Sequence, residues 1–141
     1  MRFMIIVKAS KDSEAGVMPD EKLLAAMGKY NEELMKAGVL LDLSGLHPSS
    51  KGARVKFSGE RRIVTHGPFP GTKDLIGGFW LIKVRSKEEA IEWVKRAPFE
   101  GTPGGEEPEI EIRQLFELED FAPGEGVEHH RELGKELAKK K

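Results

Sequence analysis

Cysteine is absent from the 141 residues of this sequence. Its absence excludes disulfide bonds, thiolate nucleophiles and cysteine metal sites, although it does not identify the redox compartment. His129 and His130 are the most conspicuous remaining metal candidates, but they are adjacent and do not share a helix face. No acidic pair at metal-ligand spacing accompanies them, so we predict no metal site.

Long apolar runs are also missing. No segment approaches the ~20 apolar residues that a membrane helix needs. The first ten residues, MRFMIIVKAS, contain too short an apolar stretch for a secretory signal and lack a small-residue cleavage site. We therefore expect a soluble, cytoplasmic protein without a membrane partner.

Neither sign of charge is in excess, since 23 basic residues stand against 24 acidic ones and the formal net charge is -1. No global field would draw the chain onto nucleic acid, and we expect no nucleic-acid partner. The sequence also lacks both glycine-rich nucleotide motifs, Gly-x-x-x-x-Gly-Lys-Ser/Thr and Gly-x-Gly-x-x-Gly after a strand. We therefore predict no cofactor.

The most informative segment that is present spans residues 66–98. It opens with the turn-forming hexapeptide His-Gly-Pro-Phe-Pro-Gly. An apolar run from Phe79 to Val84 follows the pair Gly77-Gly78 and predicts a strand. The sequence Ser-Lys-Glu-Glu, which begins at Ser86, is typical of a capping box that opens an amphipathic helix, and Pro98 closes that helix.

This segment resembles the YCII-related family in its Asp-Gly-Pro-Phe (DGPF) branch. The likeness rests on the Gly-Pro-Phe turn, a Thr-Lys pair, a Gly-Gly-Phe strand start and an Ala-Ile-Glu-Trp helix, in that order. Detailed agreement is confined to residues 66–98, and the order of elements agrees from Arg2 to Leu118. The resemblance implies a fold of the dimeric α+β barrel superfamily, in which two sheets face each other around a common interior.

Hydrophobic periodicity predicts the remaining elements. The first segment is apolar on both faces, which is typical of a central strand. A polar loop and an amphipathic helix ended by Gly38 come next. A strand and a hairpin then precede the 66–98 unit, and a Gly/Pro/Glu-rich loop leads to a last strand. In order, the predicted elements are a strand at Arg2–Lys8, a loop over 8–20, a helix carrying Leu23, Met27, Tyr30 and Leu34, a strand at 39–46, a hairpin of 53–57 with 61–66, a loop over 99–108 containing Gly101, Gly104 and Gly105, and a strand marked by Ile110, Ile112 and Phe116.

We read this order as β-α-β-β-β-α-β, a split βαβ pattern enlarged by a hairpin. It predicts an α+β, ferredoxin-like fold, in which an antiparallel sheet carries two helices on one face. Two helices cover only one face, so apolar residues on the other face need a second cover. A second copy of the chain is the simplest cover. The family resemblance implies the same homodimer.

The length fits one domain, which we place at 1–121, with a C-terminal extension at 122–141. The extension begins with the breakers Ala-Pro-Gly-Glu-Gly and ends in three lysines. Leu133 and Leu137 form a thin apolar stripe at helical spacing. We predict a short helix that needs a partner surface to be stable.

His66 is the first candidate catalytic residue. An imidazole with an ordinary pKa of ~6.5 is well suited to move protons near neutral pH. The rigid Gly67-Pro68 pair behind it would hold the ring in one direction. His66 stands where the resembled family usually has Asp, which keeps a titratable group but changes its resting charge. The alternative is a surface or capping histidine in a turn.

Asp42 is the second candidate, because it interrupts an apolar strand, where an unpaired buried carboxylate would be costly. Strand parity places it on one face with Leu40 and Ser44. Some proteins similar to the family carry an Asp/His pair as an acid/base site, and here the partner of Asp42 is either His66 or His47. The alternative for Asp42 is a structural salt bridge or an exposed edge position.

Three further residues are candidates for ligand binding. Lys73 and Asp74 match the Thr-Lys-acid part of the family turn, and Lys73 would neutralise an anionic group on a small ligand. Arg62 belongs to a basic hairpin with Arg54 and Arg61 that would suit a carboxylate or phosphate. The alternative for all of them is an ordinary solvated surface.

Two classes of function remain. The first is a small-molecule enzyme of the isomerase or lyase type that transfers protons, with His66 as general acid or base and Asp42 as its orienting carboxylate. The second is a non-catalytic dimer that binds a small ligand or acts as a regulatory accessory protein. Both would use the same cavity.

Overall fold

A computed structural model describes residues 1–101 and 105–140 of the chain. Gly104, from the predicted 99–108 loop, and Lys141, from the predicted tail, lie outside these residues. The helices are α1 (Lys11–Glu14), α2 (Glu21–Lys36), α3 (Lys87–Lys95) and α4 (Glu125–Lys139), with short 3-10 turns at Ser49–Lys51 and Leu118–Asp120. The strands are β1 (Arg2–Lys8), β2 (Leu40–Gly45), β3 (Ala53–Ser58), β4 (Arg61–His66), β5 (Ile76–Lys83) and β6 (Ile110–Gln114).

Four strands form the main sheet in the order β2-β5-β1-β6, and all three pairings are antiparallel. Strands β3 and β4 form a separate two-stranded sheet. The main sheet with its two crossover helices is the ferredoxin-like α+β arrangement, so the predicted fold is confirmed. Four strands lie between α2 and α3, whereas the predicted order has three. The order omitted one strand, since the strand at 39–46, both hairpin strands and the strand that contains Phe79 were each predicted and are all present.

The core lies between one face of the main sheet and the helices α2 and α3. Alternation along β1 and β5 sends every second side chain to this face. The buried cluster consists of Phe3, Ile5, Trp80, Ile82 and Val84 from the sheet region, with Val39, Tyr30 and Leu34 from α2 and its end, and Ala90 from α3. Both crossover helices therefore cover the same side of the sheet.

Trp80 is the point where the sheet and both helices are joined. Its Nε1 donates a hydrogen bond to Asn31 Oδ1 in α2 at 2.7 Å, and its ring meets the Tyr30 ring edge-on at 5.5 Å. The Tyr30 hydroxyl in turn donates to the Trp93 carbonyl of α3 at 2.6 Å. Burial raises the pKa of Tyr30 to about 12. Each polar tip in this contact is thus satisfied inside the apolar layer.

The helix boundaries follow the capping signals in the sequence. Ser86 accepts a hydrogen bond from the Glu89 amide, as predicted for the start of α3, but the Glu89 carboxylate accepts from the Arg85 amide. The reciprocal half of the capping box is therefore shifted by one residue. Gly38 follows α2 with φ 74°, a conformation that glycine adopts without a steric penalty.

Several local predictions need correction. The loop predicted over 8–20 contains the helical turn α1, because Ser10 and Ser13 cap each other's backbone amides. The last strand ends at Gln114, so Phe116 lies beyond it and is exposed.

The predicted C-terminal helix is present as the 15-residue α4. Across 1–101 and 105–140, no helix combines the length and apolar character that a membrane span requires.

A junction of three short segments holds the base of the β3–β4 hairpin. The Glu14 carboxylate accepts hydrogen bonds from the amide and hydroxyl of Ser49 at 2.8 and 2.5 Å, and Ser49 Oγ accepts from the Phe69 amide at 3.0 Å. The Gly67 amide donates to the Gly52 carbonyl at 2.9 Å. This junction ties α1, the 3-10 turn at 49–51 and the Gly-Pro-Phe turn together.

Gly67 is required at this junction by space. A Cβ atom at this position would collide with the backbone carbonyl group of Ser49. Because a backbone atom cannot move aside as a side chain can, we expect Gly67→Ala to lower the free energy of unfolding by about 2–3 kcal/mol. Urea denaturation should show this change. Gly45→Ala is the matched control, since nothing lies within 4 Å of its Cβ position, and an equal loss in both variants would contradict the steric explanation.

The junction should also make stability sensitive to acid. The hydrogen bonds from Ser49 lower the pKa of Glu14 below its ordinary value of 4.5. Stability from this contact is therefore complete above the unfolded-state pKa and is lost as the pH falls through the folded-state pKa. In urea denaturation from pH 7 to pH 3, we expect Glu14→Gln to start less stable and to lose less stability than the wild type.

The exposed hairpin residue Glu60 supplies the control for this experiment. Glu60→Gln should follow the wild-type pH dependence. If Glu14→Gln also followed the wild-type curve over the whole pH range, the Ser49 contact would not be a source of acid sensitivity.

Candidate functional site

The main sheet has an apolar surface on the side opposite α2 and α3. Met4 pairs with Leu81, and Ile6 pairs with Phe79, across the two central strands. These four side chains alternate with the buried residues Phe3, Ile5 and Trp80 and therefore point away from the helices. All four are partly exposed. We call the surface formed by Met4, Ile6, Phe79 and Leu81 the open face.

Asp42 borders the open face on β2. It pairs with Leu81, and Ser44 pairs with Phe79, so both residues lie on this side of the sheet. Leu40 pairs with Ile82 and packs against the buried core instead. The predicted parity of Asp42 with Ser44 is correct, whereas its parity with Leu40 is wrong, because the register shifts at Leu41.

Asp42 is exposed on this border, and the backbone of the next residue satisfies part of the hydrogen-bonding capacity of its carboxylate. Its Oδ1 accepts a hydrogen bond from the Leu43 amide at 2.8 Å. Within the described part of the chain, no ion pair or hydrogen bond joins Asp42 to a histidine. The carboxylate is thus accessible from the open face without the predicted imidazole partner.

Charged groups border the open face on β6. Glu111 pairs with Ile6, and Arg113 pairs with Met4. The Glu111 carboxylate lies 3.3 Å from Lys8 Nζ and 3.2 Å from Arg113 Nη1. Hydrogen bonds from these two cations, led by Arg113, lower the pKa of Glu111. This side of the open face therefore carries two cations around one carboxylate.

The end of the open face is also cationic. Arg2 and Lys83 pair across β1 and β5, on the same side as Met4 and Leu81. Arg2 forms a fork with Glu117, donating through Nε at 2.8 Å and through Nη2 at 3.0 Å, and this hydrogen bonding lowers the pKa of Glu117. The open face is thus an apolar floor with a polar border, on which the cations Lys8, Arg2, Lys83 and Arg113 alternate with carboxylates.

His66 lies on the hairpin and not on the main sheet. It is the last residue of β4 and pairs with Ala53, which places it on the hairpin face that carries Val55 and Val64. The side chain is exposed. His66 and Asp42 therefore belong to two different sheets, and the structure of one chain does not bring them together through a hydrogen bond.

His47 is exposed in the turn after β2, where the adjacent Leu46 amide donates to the Gly77 carbonyl at 2.9 Å. Lys73 and Asp74 are exposed in the loop before β5, next to the buried Leu75. None of these three residues lies in a strand that pairs beside the open face.

Arg62 is occupied within the hairpin. Its Nη1 donates to the carbonyls of Gly59 and Arg61 at 3.0 and 3.1 Å, and its guanidinium lies 4.6 Å from the centre of the Phe57 ring. These contacts fit a role in shaping the turn. Ligand binding by Arg62, Lys73 and Asp74 stays a prediction.

Two concave surfaces of the described residues lie away from the predicted site. One shallow depression is lined by Phe99, Gly101, Glu107 and Pro108, and another by Met1, Ala37, Val39, Lys83, Val84, Arg85 and Glu89. Neither includes His66, Asp42 or His47. Among residues 1–101 and 105–140, no group of three histidine or acidic side chains is arranged to hold a metal ion. The expectations of no metal and no cofactor stay predictions.

Sequence reasoning did not identify the charged border of the open face. Arg2, Lys83 and Arg113 lie on three different strands, so only the strand pairing brings them to one surface. The alternation of Arg2 with Phe3 was a usable signal for the face of Arg2. The Glu14–Ser49 contact gave no sequence signal, because the two residues are 35 positions apart and lie in a four-residue helix and a 3-10 turn that the sequence did not predict.

Comparison with known proteins identifies a family. The family model that describes the YCII-related domain matches residues 1–116. An uncharacterized protein of Rhizobium meliloti (strain 1021) is 30% identical over 76 residues, which are 54% of this chain and 61% of that protein. The match thus spans less than two thirds of the relative's length.

The family match covers every strand of the main sheet and the hairpin, and it ends before α4. The DGPF branch was predicted from the 66–98 motifs and stays a prediction, whereas the predicted family is confirmed. The chain belongs to the YCII-related family.

Proposed function

We propose that the chain acts as a homodimer in which two open faces meet and enclose a site for a small organic ligand. The observation that supports this function is the open face itself. Four apolar side chains at the centre of the sheet lie outside the chain's own core, whereas the residues that alternate with them are fully covered. A second copy supplies an identical apolar surface and thus a matching cover.

The energy of burial favours such a cover. Full burial of a large apolar side chain from water contributes about 1.5–3 kcal/mol. Met4, Ile6, Phe79 and Leu81 are already partly buried, so each would contribute less than that. The charged border disfavours complete closure, because charges that lose water need partners. A dimer with apolar contacts and a polar interior space satisfies both conditions.

The border also defines the ligand that would fit. Arg2 and Lys83 lie at one end of the apolar floor and Arg113 lies on its β6 side, and Arg2 and Arg113 also hold the carboxylates of Glu117 and Glu111. An amphipathic small molecule with an anionic group would therefore meet apolar side chains and, above all, the ammonium group of Lys83. Small carboxylates and phenols have this chemistry. A cytoplasmic location and the absence of nucleic-acid and membrane partners stay predictions for this ligand-binding dimer.

Leu81→Lys tests the proposed dimer directly. It places an ammonium group at the centre of the open face, where two copies would bring like charges together, so we expect the variant to be monomeric. Light scattering after gel filtration should show twice the mass of one chain for the wild type and the mass of one chain for the variant. Circular dichroism should confirm that the variant is folded.

The matched control is Leu24→Lys, which changes an exposed leucine on α2. This variant should remain dimeric. A wild-type protein that is monomeric at all accessible concentrations, or a dimeric Leu81→Lys variant, would contradict the proposed assembly.

An acid/base enzyme is the second candidate function, and the position of Asp42 favours it. The carboxylate is exposed on the border of the open face, next to Leu81, where it would face a bound ligand. In this function His66 acts as general acid or base and Asp42 orients it or complements it. The two residues would have to meet in the dimer, since they lie on separate sheets within one chain.

Two substitutions distinguish the enzyme from the binding protein. We expect His66→Ala and Asp42→Asn to abolish turnover if the site is catalytic, and only to change the affinity of the ligand if it is not. NMR titration with a set of small carboxylates and phenols would identify a ligand, and product analysis with that ligand would measure turnover. Replacement of the exposed His129 by Ala is the control for loss of a histidine. Turnover at the wild-type rate in both site variants would refute the catalytic assignment.

A further inference from the structure

Asp42 and Lys83 are two charges of opposite sign on the border of the open face. Asp42 pairs with Leu81 across β2 and β5, and Lys83 follows two residues after Leu81 in β5. Both side chains therefore lie on the side of the sheet that Leu81 faces, and both are exposed. The two residues are diagonal neighbours across the strands, and the Cα atoms of such neighbours lie about 7–8 Å apart.

The other cations on this border are bound by carboxylates of their own chain. Arg2 donates to both carboxylate oxygens of Glu117, at 2.8 and 3.0 Å. Lys8 and Arg113 share the carboxylate of Glu111, at 3.3 and 3.2 Å. A ligand would have to compete with these carboxylates for Arg2, Lys8 and Arg113.

Asp42 and Lys83 do not have such partners. The Asp42 carboxylate accepts a hydrogen bond from the Leu43 amide at 2.8 Å, and within residues 1–101 and 105–140 neither Asp42 nor Lys83 forms an ion pair. Hydrogen bonds from Arg2 are the main cause that lowers the pKa of Glu117, and the charge of Lys83 makes the smallest contribution. The Lys83 ammonium group and the Asp42 carboxylate are therefore both available to a ligand.

The two free charges favour a ligand that also carries both signs. A ligand with an anionic group alone would satisfy Lys83 but would bring a second negative charge close to Asp42. The repulsion between the two carboxylates increases where closure of the dimer removes water. A ligand with an added ammonium group would satisfy both residues through charge-assisted hydrogen bonds. Its apolar part would contact the floor of the open face.

We propose that the ligand is an α-amino acid with an apolar side chain, whose carboxylate binds Lys83 and whose ammonium group binds Asp42. The two charged groups of an α-amino acid are attached to one carbon atom, and this close spacing suits two protein side chains that are diagonal neighbours. The apolar side chain of the ligand lies beside Leu81. The inference rests on the proposed ligand-binding dimer and names the class of its ligand.

Three probes that differ only in their charged groups test this inference on the full-length protein. L-Phenylalanine carries both groups, 3-phenylpropionate lacks the ammonium group, and 2-phenylethylamine lacks the carboxylate. Isothermal titration calorimetry should show that phenylalanine binds about tenfold or more tightly than either of the other two, because each missing group loses one charge-assisted hydrogen bond.

Two substitutions should remove the two recognition groups separately. Lys83→Met should lower the affinity for phenylalanine about tenfold and leave the affinity for 2-phenylethylamine unchanged. Asp42→Asn should lower the affinity for phenylalanine and should not lower the affinity for 3-phenylpropionate, which has no ammonium group to lose. Light scattering and circular dichroism should show that both variants remain dimeric and folded.

Arg113→Met is the matched control, because Arg113 borders the same face but shares the Glu111 carboxylate. Glu111 keeps Lys8 as a partner in this variant. The affinities for all three probes should therefore equal those of the wild type.

The outcomes separate this inference from the proposed function. Equal affinities of the wild-type dimer for phenylalanine and 3-phenylpropionate, or no binding of either probe, would overturn the amino-acid site and leave the open-face dimer intact. An equal loss of phenylalanine affinity in Arg113→Met and Lys83→Met would have the same meaning. A wild-type protein that light scattering shows to be monomeric would overturn both proposals.

Discussion

The structure depends on one geometric constraint, which is that α2 and α3 cover a single face of a sheet whose central strands are apolar on both faces. Trp80 and Leu81 are neighbours in β5, yet Trp80 joins the sheet to α2 and, through Tyr30, to α3, whereas Leu81 belongs to the open face. The core is complete without Leu81 and its neighbours. Their apolar side chains therefore contribute little to the core of one chain. An exposed apolar surface of this kind is typical of a surface that binds a partner or a ligand.

The β3–β4 hairpin is a second part of the chain that lies outside this core. A ferredoxin-like unit needs only four strands, and β3 and β4 extend it at one end of the main sheet. The hairpin adds almost nothing to the core, yet its base is held firmly by Glu14, Ser49 and the tight approach of Gly67 to the Ser49 backbone. Such a base fixes the direction in which the hairpin projects. Preorganised direction is useful for binding, because a partner does not have to order the segment on contact.

The sequence predicted features that depend on local chemistry. Strand β1 and helix α3 were found from periodicity and from the capping serine, and the turn that carries His66 was found from glycine and proline. Non-local features were missed. The side of the sheet on which Leu40 lies depends on a register shift at Leu41, which alternation of residue types does not encode. The sequence left the partner of Asp42 open between His66 and His47. Residue types do not show that Asp42 and His66 lie on separate sheets, and only the topology reveals this.

The charged border bears on which class of function is favoured. If two open faces formed a fully dry interface, Asp42 and the cations Arg2, Lys83 and Arg113 would lose water near the apolar contact, and any of these charges without a partner would cost several kcal/mol. Arg2 and Arg113 already share carboxylates, but Lys83 and Asp42 face the same side from different strands. An interface that kept polar space for a ligand would avoid this cost. The arrangement of charge therefore favours a dimer with an accessible interior over one that is purely structural, whether or not chemistry takes place there.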